Sequence, residues 1–122
     1  MANAKDKTAK KLIKEIHKHA HRGNIRIWFE GKWLHVYGFT YHTKFTVKMT
    51  SKQIVLKVDP EGDRFVSGRK RKGQDQHTAL IDLSSVAVTE WIAQKEVVTA
   101  TFTAGKIVIK EGKIVINEGK VS

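Results

Sequence analysis

Arg69, Lys70, Arg71 and Lys72 stand in succession between Gly68 and Gly73. Four adjacent cations can follow a phosphate backbone or enter a minor groove, and each phosphate they neutralise releases condensed counterions. The competing reading is a solvated charged loop, or an address signal if the source is a nucleated cell. Nucleic-acid contact is favoured because a second basic segment exists. Lys5, Lys7, Lys10, Lys11, Lys14, Lys18 and Arg22 crowd the N-terminal region against only Asp6 and Glu15. Lys10 and Lys14 are the phosphate contacts expected from it.

A second constellation is aromatic. If residues 25–37 fold as a hairpin turning at Gly31-Lys32, then Arg26, Trp28, Trp33, His35 and Tyr37 share one sheet face, with Phe39 and Tyr41 further along the same strand. Rings offer stacking surface to unstacked bases, at about 1–3 kcal/mol per base, while Arg or His reaches phosphates. Arg26, Trp28, Trp33 and Tyr37 are the expected base or groove contacts. The alternative buries this face against a second sheet or a partner subunit, since aromatics usually dominate cores.

Other chemistry is thinner. His17 and His21 have the i, i+4 spacing of a metal pair on a helix, but no third ligand can be named, so no metal is expected. Asp59, Glu61 and Asp63 could hold a divalent cation for nuclease chemistry, yet Pro60 and Gly62 among them read as a polar turn. Neither phosphate-cradling glycine motif, G-x-x-x-x-G-K-[ST] or G-x-G-x-x-G, occurs. The expectation is a non-catalytic protein without a cofactor.

Composition sets the class of partner. The chain has 122 residues, with 23 Lys and Arg against 12 Asp and Glu, for a net charge of +11 and a pI of about 10.0. Such a charge suits a polyanion: nucleic acid first, an anionic membrane surface second. The N-terminal apolar stripe has too few large residues for membrane insertion, so no membrane partner is expected. The absence of cysteine excludes disulfides, Cys-based zinc sites and thiol nucleophiles. No long apolar run occurs and the start of the chain lacks a secretory h-region, which points to a cytoplasmic or nucleoid-associated protein.

These groups need elements to position them. The spacing of Ala9, Leu12, Ile13, Ile16 and Ala20 predicts a basic amphipathic helix within 1–23, ending at Gly23. A single β-rich domain over 24–118 follows. Phe45, Val47 and Met49 turn at Thr50-Ser51-Lys52 into Ile54, Leu56 and Val58, with Lys48 and Lys57 outward. Residues 59–77 break every pattern and predict a long mobile basic loop. Thr78–Leu83 reads as a strand, and Ser84 or Ser85 caps a helix to about Gln94 with Val88, Trp91 and Ile92 inward. Val98, Ala100 and Phe102 open a meander carrying a repeat: Gly105-Lys-Ile-Val-Ile-Lys-Glu111, then Gly112-Lys-Ile-Val-Ile-Asn-Glu118. Its last strand is an expected edge, through which a homodimer could form. The fold class is α+β: antiparallel β-hairpins in a sheet or partly open barrel, the N-terminal helix, and one short helix near 85–94.

Two stretches resemble known families. Thr78 to Lys110 runs strand, short helix, then a hairpin ending Gly105-Lys106-Ile107-Val108-Ile109, and is similar in plan to AbrB-type swapped-hairpin regulators, which are DNA-binding dimers. It departs from them at Asp82-Leu83, where their proline usually follows the first strand. Asp59-Pro60-Glu61-Gly62, then Gly68-Arg69-Lys70, then the helix carrying Trp91 resembles the end of a coactivator-type single-stranded-DNA-binding domain, which has little beyond its helix. Each covers under half the chain, and no family is assigned.

The resulting expectation is a DNA-binding protein, a small transcriptional regulator or a single-strand binder, with DNA favoured over RNA. The rival is a protein-interaction or structural module whose charge meets an acidic protein.

Overall fold

Alternation of apolar and polar residues marks strands buried on one face. From Asn24 onward this pattern dominates, and strands dominate the fold. A computed structural model describes residues 10–16, 19–21, 24–70, 72–73 and 76–112. In chain order the elements are β1 (Leu12–Ile16), β2 (His19–His21), β3 (Asn24–Glu30), a 3-10 helix (Lys32–Tyr37), β4 (Lys44–Met49), β5 (Gln53–Val58), β6 (Arg64–Phe65), β7 (Ser67–Arg69), β8 (Thr78–Leu83), α1 (Val86–Ala93), β9 (Val98–Thr103) and β10 (Lys106–Glu111). One sheet has six strands in the order β1-β9-β10-β5-β4-β6, the other four in the order β2-β3-β8-β7. Every pairing is antiparallel, and the sheets do not close into a barrel.

Both strand orders read the same in reverse once β1–β5 are equated in turn with β6–β10. The succession of three strands, a helix and two strands occurs twice, over 12–58 and over 64–111. The two copies meet at β3 against β8 and at β5 against β10. Each lends an outer strand to the other: β1 pairs β9, and β6 pairs β4. The helices cross over in the same way. Thr89 on α1 exchanges hydrogen bonds with the Ile25 backbone of β3, at 3.0 Å from the Ile25 N–H and 3.2 Å to its carbonyl. The 3-10 helix in turn packs on β8.

The core lies between the inner faces of the two sheets. Phe102 on β9 is its hub, meeting Phe29 edge-on at 5.1 Å, Trp33 at 5.0 Å and Tyr37 at 5.8 Å between ring centroids. Ile27, Leu34, Ile54, Leu56, Ile107 and Ile109 are fully buried around it.

The helix near 85–94 forms as expected. The Ser85 hydroxyl accepts from the Val88 N–H at 3.2 Å, and Val88, Trp91 and Ile92 face inward. The hairpin of β4 and β5 also forms, with Met49 opposite Ile54.

Three expectations are corrected. The described part of the expected N-terminal helix is extended: β1 and β2 stand where helical spacing was read. The open edge of β9 takes β1 as a strand, Leu12 opposite Phe102 and Ile16 opposite Val98, and this tertiary pairing overrides a lysine-rich helix preference. Residues 1–9, 17–18 and 22–23 lie outside the described residues. Next, Trp33–Tyr37 is a 3-10 helix and not a hairpin strand, because glycines bracket it. Gly31, at φ 148°, leaves room for the Trp33 indole, which would lie 2.3 Å from any Cβ there. Gly38, at φ 90°, ends the helix in the left-handed conformation that glycine adopts readily. Last, the stretch 59–77 is not one loop. It carries β6 and β7, held by the fully buried Val66, whose N–H donates to Thr43 O at 2.9 Å and whose carbonyl accepts from the His42 N–H at 2.8 Å. The second copy of the heptad repeat beyond Gly112, and with it the expected edge strand, lies outside the described residues. No helix among the described residues is long and apolar enough to cross a membrane.

Candidate nucleic-acid interface

The expected aromatic face is divided by the fold. Trp28 stays on the outward face of the four-stranded sheet, half-buried. Trp33 and Tyr37 turn into the core with the 3-10 helix, so neither offers a free ring to a base. The Trp33 indole N–H donates to Glu30 O at 3.2 Å, and Lys14 Nζ sits 4.7 Å from its ring centroid. The Tyr37 hydroxyl donates to Lys10 O at 2.7 Å. Lys10, just before β1, and Lys14, on it, are therefore both held against the 3-10 helix, the first through its backbone carbonyl and the second through its ammonium over a tryptophan.

Around Trp28 the charges are balanced. Arg26 lies over the ring at 4.8 Å and Arg69 at 5.8 Å. Arg26 Nε is 3.2 Å from Asp82 Oδ1, an ion pair whose alignment falls short of a hydrogen bond. Arg69 Nε is 3.9 Å from Glu30 Oε2, and the Trp28 indole N–H donates to Glu30 Oε1 at 3.2 Å. Each arginine thus has a carboxylate beside it, and this face carries little net charge. Beyond Arg69 the exposed Lys70 and Lys72 continue the basic run, while Arg71 lies outside the described residues.

Among the described strands, the larger excess of cations is on the other sheet. Strands present alternate residues to opposite faces, so burying Ile54, Leu56, Ile107 and Ile109 turns their neighbours outward. The outward residues of β4, β5 and β10 include Lys48, Lys57, Lys106 and Lys110, with Lys44 at the margin. Lys57 stands directly opposite Lys106, and Lys110 opposite Gln53. Threonines fill the flanks: Thr46 beside Lys57, Thr103 beside Lys106 and Thr99 beside Lys110. A groove of about 400 Å³ lies over this face, lined by Lys48, Lys57 and Lys106 together with Thr46, Thr50, Gln53, Val55 and Asp59. Neither ion pair described above reaches these lysines.

Like charges directly opposite one another on a sheet destabilise it. Lys57 and Lys106 therefore form a pair that the fold alone does not favour. Ammonium groups among hydroxyls on an open face suit phosphate oxygens, which accept from both. Sequence reading placed Lys48 and Lys57 outward on their hairpin but left them out of the site. The missing information was the β5–β10 pairing, which brings Lys57 to Lys106 across a sequence gap that no local pattern bridges.

A ring ladder was missed as well. Tyr41 is stacked between His42, at 3.8 Å, and His77, at 4.1 Å, and His42 meets the exposed Phe65 edge-on at 5.9 Å. Gly68 makes room for it, since a Cβ there would lie 2.5 Å from the Tyr41 ring. Among the described residues no three His, Asp or Glu side chains converge on a metal position. No family model, curated protein or solved structure matches the chain.

Proposed function

We propose that this protein is a non-catalytic nucleic-acid-binding protein, and that the outward face of its six-stranded sheet is the principal contact. The observation that carries the reading is the cross-strand pair Lys57–Lys106 in a basic, threonine-flanked groove. A polyanion converts the repulsion within that pair into attraction to a shared partner, and the net charge of +11 favours the encounter at long range. Lys70 and Lys72, exposed beyond β7, add phosphate contacts at the periphery. DNA is favoured over RNA as the partner, in transcriptional control or strand protection. The aromatic residues first expected to read bases have structural roles in this reading.

A mobility-shift titration with DNA and RNA oligonucleotides at two salt concentrations tests it. Binding that weakens steeply with salt is expected. Binding indifferent to salt, or none in dilute buffer, overturns it. Stronger retention of an acidic protein than of any oligonucleotide would favour an interaction module instead.

A further inference from the structure

The lysine face shares the internal two-fold of the fold. Matching the β4–β5 hairpin to the β9–β10 hairpin through Ile54 and Ile107 pairs Met49 with Phe102 and extends along both hairpins. On the outward face the equivalent positions are Thr46 and Thr99, Thr50 and Thr103, Val55 and Val108, and Lys57 and Lys110: the same residue each time. Three outward pairs differ: Lys44 with Val97, Lys48 with Thr101, and Gln53 with Lys106. On the inward face Ile54 and Ile107 are the identical pair, while Phe45 faces Val98 in the match, Val47 Ala100, and Leu56 Ile109. The exposed side is therefore more alike between the copies than the core. Packing does not account for that, because packing constrains the core side more tightly.

The axis passes between Val55 and Val108, which are directly opposite. One cationic row holds Lys57 and Lys106, and the other holds Lys110 with Gln53 opposite. The rows are four residues apart along each strand, or about 14 Å at roughly 3.4 Å per residue. That is close to the roughly 12 Å width of the major groove, whose two walls are phosphates of opposite strands. The two antiparallel strands of a duplex are themselves related by a two-fold axis across the groove. A single strand has a direction and no such axis.

Building on the reading above, we infer that this face docks on duplex DNA with its internal two-fold over a groove, the Lys57–Lys106 row on one strand and Lys110 on the other. Equivalent lysines then make equivalent contacts. Valines at the centre present no hydrogen-bonding group to base edges, so recognition rests chiefly on backbone geometry rather than sequence.

The test uses the full chain, a short mixed-sequence DNA duplex, and the two strands of that duplex kept apart. Each phosphate contact contributes about 0.9 to the slope of log affinity against log salt, or roughly eightfold at about 0.1 M. Lys57→Ala and Lys110→Ala should each lose about eightfold for the duplex, while Lys32→Ala on the 3-10 helix loses nothing. The duplex should outcompete its own strands. Strands that bind as well as the duplex, with the lysine variants still impaired, overturn duplex docking but leave nucleic-acid binding standing. A loss at one of Lys57 and Lys110 with none at the other overturns the two-fold. Full duplex affinity in both variants overturns the face itself, and absence of all binding removes the underlying reading too. Thermal melts lowered by no more than a degree or two in each variant exclude misfolding as the cause of a loss.

Discussion

Replacing Lys106 by Glu should stabilise the fold and weaken DNA binding, two effects of opposite sign from one substitution. Lys106 lies directly across from Lys57 on an exposed sheet face. Two ammonium groups about 6 Å apart in a water-like dielectric repel by about 0.7 kcal/mol. A carboxylate at the same distance attracts by a similar amount, so the Coulomb swing is about 1.4 kcal/mol before screening. Salt and side-chain freedom reduce it to about 0.5–1 kcal/mol, the range typical of cross-strand pairs. For a chain of this size that is a rise in melting temperature of roughly 2–6 °C in dilute buffer, shrinking as salt is added. For DNA the same change removes a phosphate contact and places a like charge against the backbone, so the affinity loss exceeds the eightfold expected of Ala. Thermal melts followed by tryptophan fluorescence and duplex titrations on the same samples read both. A variant less stable in dilute buffer, or one that keeps its affinity, would refute the reasoning that this pair is maintained for a ligand.

Two further substitutions test the fold that carries the face. Phe102→Ala removes the ring on which Phe29, Trp33 and Tyr37 converge and should cost about 3–5 kcal/mol in urea unfolding; a loss under about 1 kcal/mol would contradict its place as the hub. Gly62→Ala puts a Cβ 2.4 Å from the Phe45 carbonyl oxygen, a backbone clash that should push β4 outward. The expected penalty is about 1–3 kcal/mol, visible as a lowered melting temperature; an unchanged melt would mean the turn after Asp59 is not held against β4.

Local signals were legible in the sequence where one element decides its own form. Ser85 before the Val88, Trp91 and Ile92 stripe marks α1, and the alternation of Phe45 to Val58 marks β4 and β5. Phe45, Ile54 and Leu56 are buried and Val47 and Val58 pack against the core, while Met49 at the hairpin end is exposed. The 3-10 helix was signalled less clearly. Trp33 to Tyr37 alternates as a strand does, but Leu34 and Tyr37, three apart, are its buried residues, and Gly31 and Gly38 delimit it. β1 was illegible for a different reason. A lysine-rich segment with Leu12, Ile13 and Ile16 fits a helix locally, and only the free edge of β9 makes a strand the better choice. β6 and β7 were hidden in a stretch rich in glycine and charge, where Phe65 and Val66 are the sole apolar pair. The lysine face itself depends on pairing β5 with β10, about fifty residues apart in the chain, and on the exchange of strands between the two copies. Charge on single strands was readable; which charges the sheet assembles was not.

The most direct test is the salt dependence of duplex affinity for the native chain beside a Lys57→Ala, Lys106→Ala, Lys110→Ala triple variant. With three phosphate contacts removed, the slope of log affinity against log salt should become shallower by about 2.7. A variant with the native slope would place the DNA somewhere other than this sheet and contradict the central claim.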